Sequence, residues 1–392
     1  VENVKQLFAT LNSISYDEKE FKHDVEKLKL RFTEKTISEL KESLSSDITK
    51  SLKEISKANQ TIKNLNETKT FERKTLKEIL PNFKDEYIAR SKDETFDRGL
   101  MTGYSFLDYS SDGLREAELL LIGAESGQGK STFLMNMAIQ LWLQSNLVDS
   151  NLTEFKPGVD ILYFSLEMPL KPCFNRLMAR LAQIPLKKIK KANLDPFEID
   201  RLKNAMRFIK NYPNQFEIID IPRGTTVKKI ESIFEEAKQL YNPKVVVVDY
   251  LGLMDLEDKS IDQDWLKLAA IAGELHEFAR VQNCIVLSAI QLNGIKLSKD
   301  VEENVSLNRI GRSKAIAHHA NIVIQIEKRN NEKNLPDMIY HILKSRDGIS
   351  GSGRLIKDFA CATLLDDKYE DDIYESENID DISKQLESFE HA

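Results

Sequence analysis

The stretch Ala124-Glu125-Ser126-Gly127-Gln128-Gly129-Lys130-Ser131-Thr132 has the residue types and spacing of a loop that wraps phosphate. Backbone N–H groups of such a loop converge on anionic oxygens, and the positive end of the next helix adds to the field. An apolar run, Leu119-Leu120-Leu121-Ile122, precedes the loop, and a helical pattern of Phe133, Leu134, Met137 and Leu141 follows it. That strand-loop-helix setting carries more weight than the string itself. Lys130 is expected to reach the β- and γ-phosphates, and Ser131 to hold Mg²⁺ through its hydroxyl. Ala124 stands where this motif usually has Gly, which Ala can replace if φ there is ordinary.

Two carboxylates add chemistry. Lys244 to Val248 is a largely β-branched run ending in Asp249-Tyr250. An Asp at the tip of a buried strand is costly unless it is solvated or bound to a cation. Beside a phosphate loop it would orient the water shell of Mg²⁺; capping of the next turn is the plainer alternative. Glu167 lies just past the apolar run Ile161-Leu162-Tyr163-Phe164. There it can face a γ-phosphate and take a proton from the attacking water.

These residues need elements to hold them. The two apolar runs above, with Val245 to Val248, Cys284-Ile285-Val286-Leu287 and Ile322-Val323-Ile324, read as buried strands with helical patterns between several of them. Continuous apolar strands alternating with helices predict an α/β fold with a mostly parallel central sheet flanked by helices. Ahead of it, Phe21 to Glu67 is highly charged and free of Gly and Pro. Phe21, Val25, Leu28 and Phe32, then Ile37, Leu40, Leu44, Ile48, Leu52 and Ile55, recur at helical spacing. That predicts two amphipathic helices able to form a hairpin, with packing as their plain role. A further helical piece runs from Thr75 to about Arg90, started or interrupted at Pro81, and a polar linker follows from Ser91 to Arg98. The expected organisation is a helical N-terminal region over 1–70, a linker helix and linker over 71–98, a motor domain over 99–365 and an acidic tail over 366–392.

No apolar run is long enough to span a membrane, and the N-terminus lacks a signal pattern, so a cytoplasmic protein is expected. The chain begins at Val1 rather than Met, as a processed product would. Cys173, Cys284 and Cys361 are isolated and read as reduced thiols, and the adjacent His318 and His319 do not make a zinc site by themselves. The net charge of −7 is unevenly placed. From Asp366 to Ala392 there are 11 Asp/Glu against Lys368 and Lys384, a net of −9 that leaves the remainder at +2. An acidic tail on a near-neutral body does not exclude a nucleic-acid partner. The tail reads as solvated, or as a docking segment for another protein, given Tyr369, Tyr374, Ile379, Ile382, Leu386 and Phe389 among its acids.

Further motifs follow the loop in order. They are Phe164-Ser165-Leu166-Glu167-Met168-Pro169, Val248-Asp249-Tyr250-Leu251-Gly252-Leu253-Met254 and Gln291-Leu292-Asn293. Met101 to Asp108 precedes the first strand, and Ile342-Leu343-Lys344-Ser345-Arg346-Asp347-Gly348 lies near the end. Each is weak alone, but the ordered set resembles the DnaB-type replicative ring helicases, including their phage members, from Thr75 to Phe359. The resemblance implies a RecA-like core that binds ATP and Mg²⁺, forms a homohexamer and moves on single-stranded DNA. It implies that Glu125, Ser126, Gly127, Gln128, Gly129, Lys130, Ser131 and Thr132 hold the nucleotide, Asp249 joins Ser131 at the metal, and Glu167 is the base. It gives Gln291 the sensing of the γ-phosphate. Arg346 resembles an arginine finger acting on the neighbouring subunit's ATP, with Lys344 assisting. Arg329, or Lys328 in its place, and Phe359 resemble an adenine clamp.

DNA contacts are implied for two basic loops, with Asn293, Lys296 and Lys299 in one and Arg309, Arg312 and Lys314 in the other. Such groups grip phosphate without reading bases. Gly294 and Gly311-Arg312 depart from the residues common in relatives. The helix from Thr75 to Arg90 matches a linker helix that docks on the adjacent subunit, and the N-terminal seam a shortened collar. Primase, polymerase or loader contacts are implied, in a bacterial or phage-infected cell. The sequence has no zinc-binding Cys cluster, so primase activity would come from another protein. A RecA-like recombination ATPase that binds DNA without unwinding is the alternative function. A nucleotide-gated assembly protein is a third, which Lys130, Glu167, Asp249 and Arg346 together disfavour.

Overall fold

The computed structural model describes residues 31, 34, 35, 38, 74–92, 98–143, 158–261, 263–292, 314–328, 338–346 and 348–367. The chain divides into two compact units, Val1–Glu94 and Thr95–Ala392. Of the hairpin expected between Phe21 and Glu67, only Arg31, Glu34, Lys35 and Ser38 are described, and they are helical. The fully described element of the first unit is α1, Leu76–Lys92. Thr75 starts it by donating its N–H and hydroxyl to Glu78, at 2.6 and 2.8 Å. The helix runs through Pro81 without a break. Proline has no N–H to give the carbonyl one turn back, and the run Leu76 to Phe83 is exposed, where water can substitute.

In the second unit the described elements, in chain order, are α2 Ser105–Ser111, β1 Leu119–Ala124, α3 Lys130–Leu143, β2 Asp160–Ser165, α4 Leu170–Ala182, α5 Leu186–Lys191, α6 Pro196–Asn211, β3 Phe216–Asp220, α7 Val227–Lys238, β4 Pro243–Asp249, α8 Asp264–Gln282, β5 Ile285–Gln291, α9 Lys314–His319, β6 Ile322–Lys328, β7 Met338–Lys344, β8 Gly351–Asp358 and β9 Thr363–Asp366. The five apolar runs all form strands. They join β3, β7, β8 and β9 in one sheet of order β3-β2-β4-β5-β1-β6-β7-β8-β9. The first six strands are mutually parallel, and β7 to β9 extend the sheet with antiparallel pairings.

Side chains alternate across each strand, and the sheet is covered on both faces. Leu120, Ile122 and Ala124 of β1 pack with Val245 and Val247 of β4 against α3. Leu119, Leu121, Val246 and Val248 face the other way, toward α7 and α8. That double burial is why the parallel strands read as continuous apolar runs. Helix ends follow local chemistry. Asp195 and Glu198 form a reciprocal capping box before α6, with Pro196 in its first turn, and Asn283 ends α8 in the left-handed region.

Candidate active site

Ala124 is the last residue of β1, in extended backbone, so no glycine is required there. The loop then turns through Gly127 (φ +76°) and Gly129 (φ +94°), a region that favours glycine. A Cβ on Gly129 would also sit 3.3 Å from the Phe359 ring. The Gly129 carbonyl accepts from Phe133 N–H at 2.8 Å, seating the loop on α3.

Lys130, the first residue of α3, folds back across the loop. Its ammonium donates to the carbonyls of Ala124 (3.1 Å) and Glu125 (3.2 Å) and stands 5.9 Å from the centre of the Tyr250 ring. Burial lowers its pKa, while Glu167 and Asp249 act to raise it. Ser131 Oγ donates to Asp249 Oδ1 at 2.9 Å, and the Tyr163 hydroxyl donates to Asp249 Oδ2 at 2.8 Å. Asp249, at the end of β4, is fully buried, and burial raises its pKa against the pull of those two hydroxyls.

Glu167 sits two residues past β2 and is exposed. Its turn is fixed at both ends. Ser165 Oγ donates to Met168 O at 2.7 Å, and Leu166 N–H donates to Asp249 O at 2.9 Å. Its charge is felt by Lys130, Asp249 and Tyr250. Gln291 ends β5, in register with Ala124, and Leu292 N–H donates to the Ala124 carbonyl at 2.9 Å. Because β4, β5 and β1 are neighbours in that order, Asp249, Gln291 and the loop share the C-terminal edge of the sheet. Phe359 is brought to that edge by the short helical turn Phe359–Cys361.

Two expected site residues lie elsewhere. Lys344 ends the antiparallel strand β7 and pairs with Val323, near the start of β6. Its ammonium donates to the carbonyls of Ala317 (2.9 Å), His318 (3.3 Å) and Ala320 (2.6 Å), capping the C-terminus of α9. Arg346 is bound to Glu118, which directly precedes β1, and to the carbonyl of Ser111. Both therefore lie at the N-terminal edge of the parallel strands. At roughly 3.3 Å per residue, β1 alone holds Arg346 about 20 Å from the loop of its own chain.

Arg329 and the loop residues Asn293, Lys296, Lys299, Arg309 and Arg312 lie outside the described residues. Lys314 opens α9. Among the described residues no group of His, Cys, Asp and Glu is arranged to hold a metal ion by itself. No described helix is long and apolar enough to cross a membrane.

The donors fit a nucleotide and a divalent cation. The hydrogen-bond partners of Lys130 are neutral carbonyls, and those of buried Asp249 are neutral hydroxyls. An ammonium and a buried carboxylate so arranged still lack full counter-charges, which phosphate and Mg²⁺ supply. Sequence reasoning missed Tyr163, Glu118 and Asn136. Asn136 is fully buried, donates to the Thr132 and Ala362 carbonyls at 2.8 and 2.9 Å, and accepts from Arg180. It thereby ties the turn that carries Phe359 to α3. A lone polar residue amid the apolar face Phe133 to Trp142 was the available signal.

Residues 99–361 match the family model of the DnaB-like helicase C terminal domain. The chain is 27% identical over 281 residues to the replicative DNA helicase DnaB of Pasteurella multocida, covering 69% of this chain and 56% of that one. It is 25% identical over 282 residues to the replicative DNA helicase DnaC of Bacillus subtilis, covering 70% and 58%. The chain thus spans little more than half the length of these relatives. Its fold is that of a DnaB-like replicative helicase solved in a study of its interactions with primase (TM-score 0.65, 20% identity, 87% of this chain and 76% of that one). It is also that of an ATPase domain solved by itself (TM-score 0.62, 21% identity, 75% and 99%).

Proposed function

The chain belongs to the DnaB-like helicase family, and from that premise we propose that it is an ATP-driven replicative DNA helicase. It acts as a homohexamer that moves on single-stranded DNA and separates the duplex. The observation that carries this reading is the hydrogen bond from Ser131 to buried Asp249, which joins the phosphate loop to the neighbouring acidic strand. The family match does not favour the strand-exchange alternative.

Residues 125–132 cradle the triphosphate, and Lys130 leaves its two carbonyls for the β- and γ-oxygens. Ser131 and Asp249 hold Mg²⁺, which when bound neutralises charge on the phosphate oxygens. Glu167 takes a proton from water as the water oxygen bonds to the γ-phosphorus and the bridging P–O bond to ADP breaks. Gln291, beside the loop on β5, relays the state of the γ-phosphate toward Asn293, Lys296 and Lys299. These, with Arg309, Arg312 and Lys314, grip the DNA backbone. Phe359 stacks on the base, with Arg329 or Lys328 opposite.

Arg346 cannot serve its own loop, because the length of β1 lies between them. It serves a neighbour's nucleotide instead, as an arginine finger. The exposed apolar residues Leu76, Leu80 and Phe83 of α1 suit a helix that docks on the adjacent copy. Such a motor works in the cytoplasm of a bacterial or phage-infected cell and meets primase, polymerase or loader proteins there.

Unwinding of a forked duplex by the full chain, with mass measured with and without ATP, tests the reading. ATP-dependent strand separation by a hexamer is expected, with Glu167→Gln keeping ATP binding and losing turnover. Hydrolysis without unwinding, or undiminished turnover in Glu167→Gln, rejects it.

A further inference from the structure

We infer that Glu118 is the positioning residue for Arg346, fixing the place from which that guanidinium is offered to a neighbouring copy. The inference rests on the finger role proposed for Arg346 above.

Glu118 is 4% exposed and lies between the turn Arg115–Ala117 and the start of β1. One of its oxygens accepts from Arg346 Nη1, and the other accepts from the backbone N–H of Arg115 at 2.8 Å. Arg346 Nη2 donates to the carbonyls of Ser111 and, at 3.4 Å, Gly113. A carboxylate this buried requires a cation or several donors, and the fork of a guanidinium meets it with defined geometry.

Every group that grips Arg346 is mounted on fixed backbone. Leu100 and Leu114 pair with each other, at 2.7 and 2.9 Å. Beside them Gly113 (φ +80°) approaches Gly99 so closely that a Cβ on it would stand 2.6 Å from the Gly99 carbonyl carbon. Glu118 is held by β1, whose strand neighbours on both sides are paired. Arg346 itself follows β7 in a turn, and its side chain is 27% exposed. The acceptors are thus rigid and internal, while the arginine stands at the surface. A guanidinium has five N–H donors in a planar fork, so it can be anchored along one edge and reach outward with the other. Catalysis by such a group depends on placement, and a shift of about 1 Å costs on the order of a hundredfold in rate.

Steady-state ATP hydrolysis by the full chain on single-stranded DNA tests this. Glu118→Gln keeps the size of the side chain and removes its charge. Its kcat is expected to fall about tenfold to a hundredfold, with KM for ATP little changed and Glu118→Gln/Arg346→Ala no slower than Arg346→Ala alone. In rings doped with excess Lys130→Ala protomers, each intact loop faces a neighbour with an intact Glu118. The gap between wild type and Glu118→Gln, measured at equal doping, is therefore expected to close. A merely structural role would leave that gap open, because the defect would stay with the variant's own fold. Should Glu118→Gln fail to fold, Glu118→Asp, which keeps the charge but shortens its reach, is expected to give the same fall and the same closing. The inference is overturned if Arg346→Ala is impaired while the Glu118 variants turn over normally, if the two defects multiply, or if doping closes nothing. Wild-type turnover by Arg346→Ala would instead remove the finger role, and this inference with it.

Discussion

Ser131 and Asp249 stand 118 residues apart in the chain, and the hydroxyl of one donates to the carboxylate of the other at 2.9 Å. The bond closes the tip of β4 onto the first turn of α3. It leaves a fully buried acid among neutral donors, a condition that costs free energy until a cation arrives. In chelator, Asp249→Asn is therefore expected to melt within a few degrees of wild type. With saturating Mg²⁺ and a non-hydrolysable ATP analogue, wild type should gain about 2–3 kcal/mol, as for ligand near a hundred times its Kd, and the variant far less. Paired melting curves decide it; equal gains would remove Asp249 from the metal site.

Phe359 covers Gly129 and is 46% exposed, so its loss should scarcely affect folding. Stacking of an aromatic ring on a base is worth about 1–3 kcal/mol. Phe359→Ala is expected to weaken ATP binding by about 5- to 100-fold, with kcat nearly kept. Inorganic tripolyphosphate, which has no base, should bind both proteins equally. If its affinity falls in parallel, Phe359 shapes the loop rather than the base site.

Lys344 offers a test of structure against chemistry. It donates to three carbonyls at the end of α9, and burial lowers its pKa. Lys344→Met should destabilise the fold by about 1–3 kcal/mol, the range for hydrogen bonds to a charged group. Turnover measured well below the new melting point should then be largely retained. A variant that melts like wild type but has lost turnover would place Lys344 beside Arg346 in the chemistry instead.

Asp108 gives a pH dependence. Burial pushes its pKa up to about 6, against hydrogen bonds from the Thr102 N–H and hydroxyl and the Gly103 N–H, with Asp366 adding repulsion. The folded state therefore holds this proton more tightly than the unfolded chain, whose value is 3.8. Stability should fall as pH rises from near 4 through 6, then level off. Urea melts of wild type and Asp108→Asn across that window should differ by an amount that changes below pH 6 and is constant above it. A difference that is flat throughout would show that the group titrates normally.

The phosphate loop was legible because its chemistry is contiguous and its flanks are periodic. The five buried strands were legible because double burial writes itself as unbroken apolar runs. Strand β3 escaped notice, since Phe216 to Asp220 at the sheet edge mixes half-buried and exposed positions. The partners of Lys344 escaped because backbone carbonyls leave no mark on a sequence. Glu118 and Arg346 are 228 residues apart, and only the folding of β7 beside β6 brings them together. Pro81 misled in the other direction: a residue that usually ends helices sits inside one.

The span of β1 also makes dilution a chemical variable. A solitary copy carries both halves of the reaction but holds them too far apart to meet. Its specific activity should therefore decline when the sample is thinned below the association threshold, with every side chain intact. Excess inactive copies that retain Arg346 should restore it. Hydrolysis in such a protein reports crowding of like molecules before it reports anything about fuel.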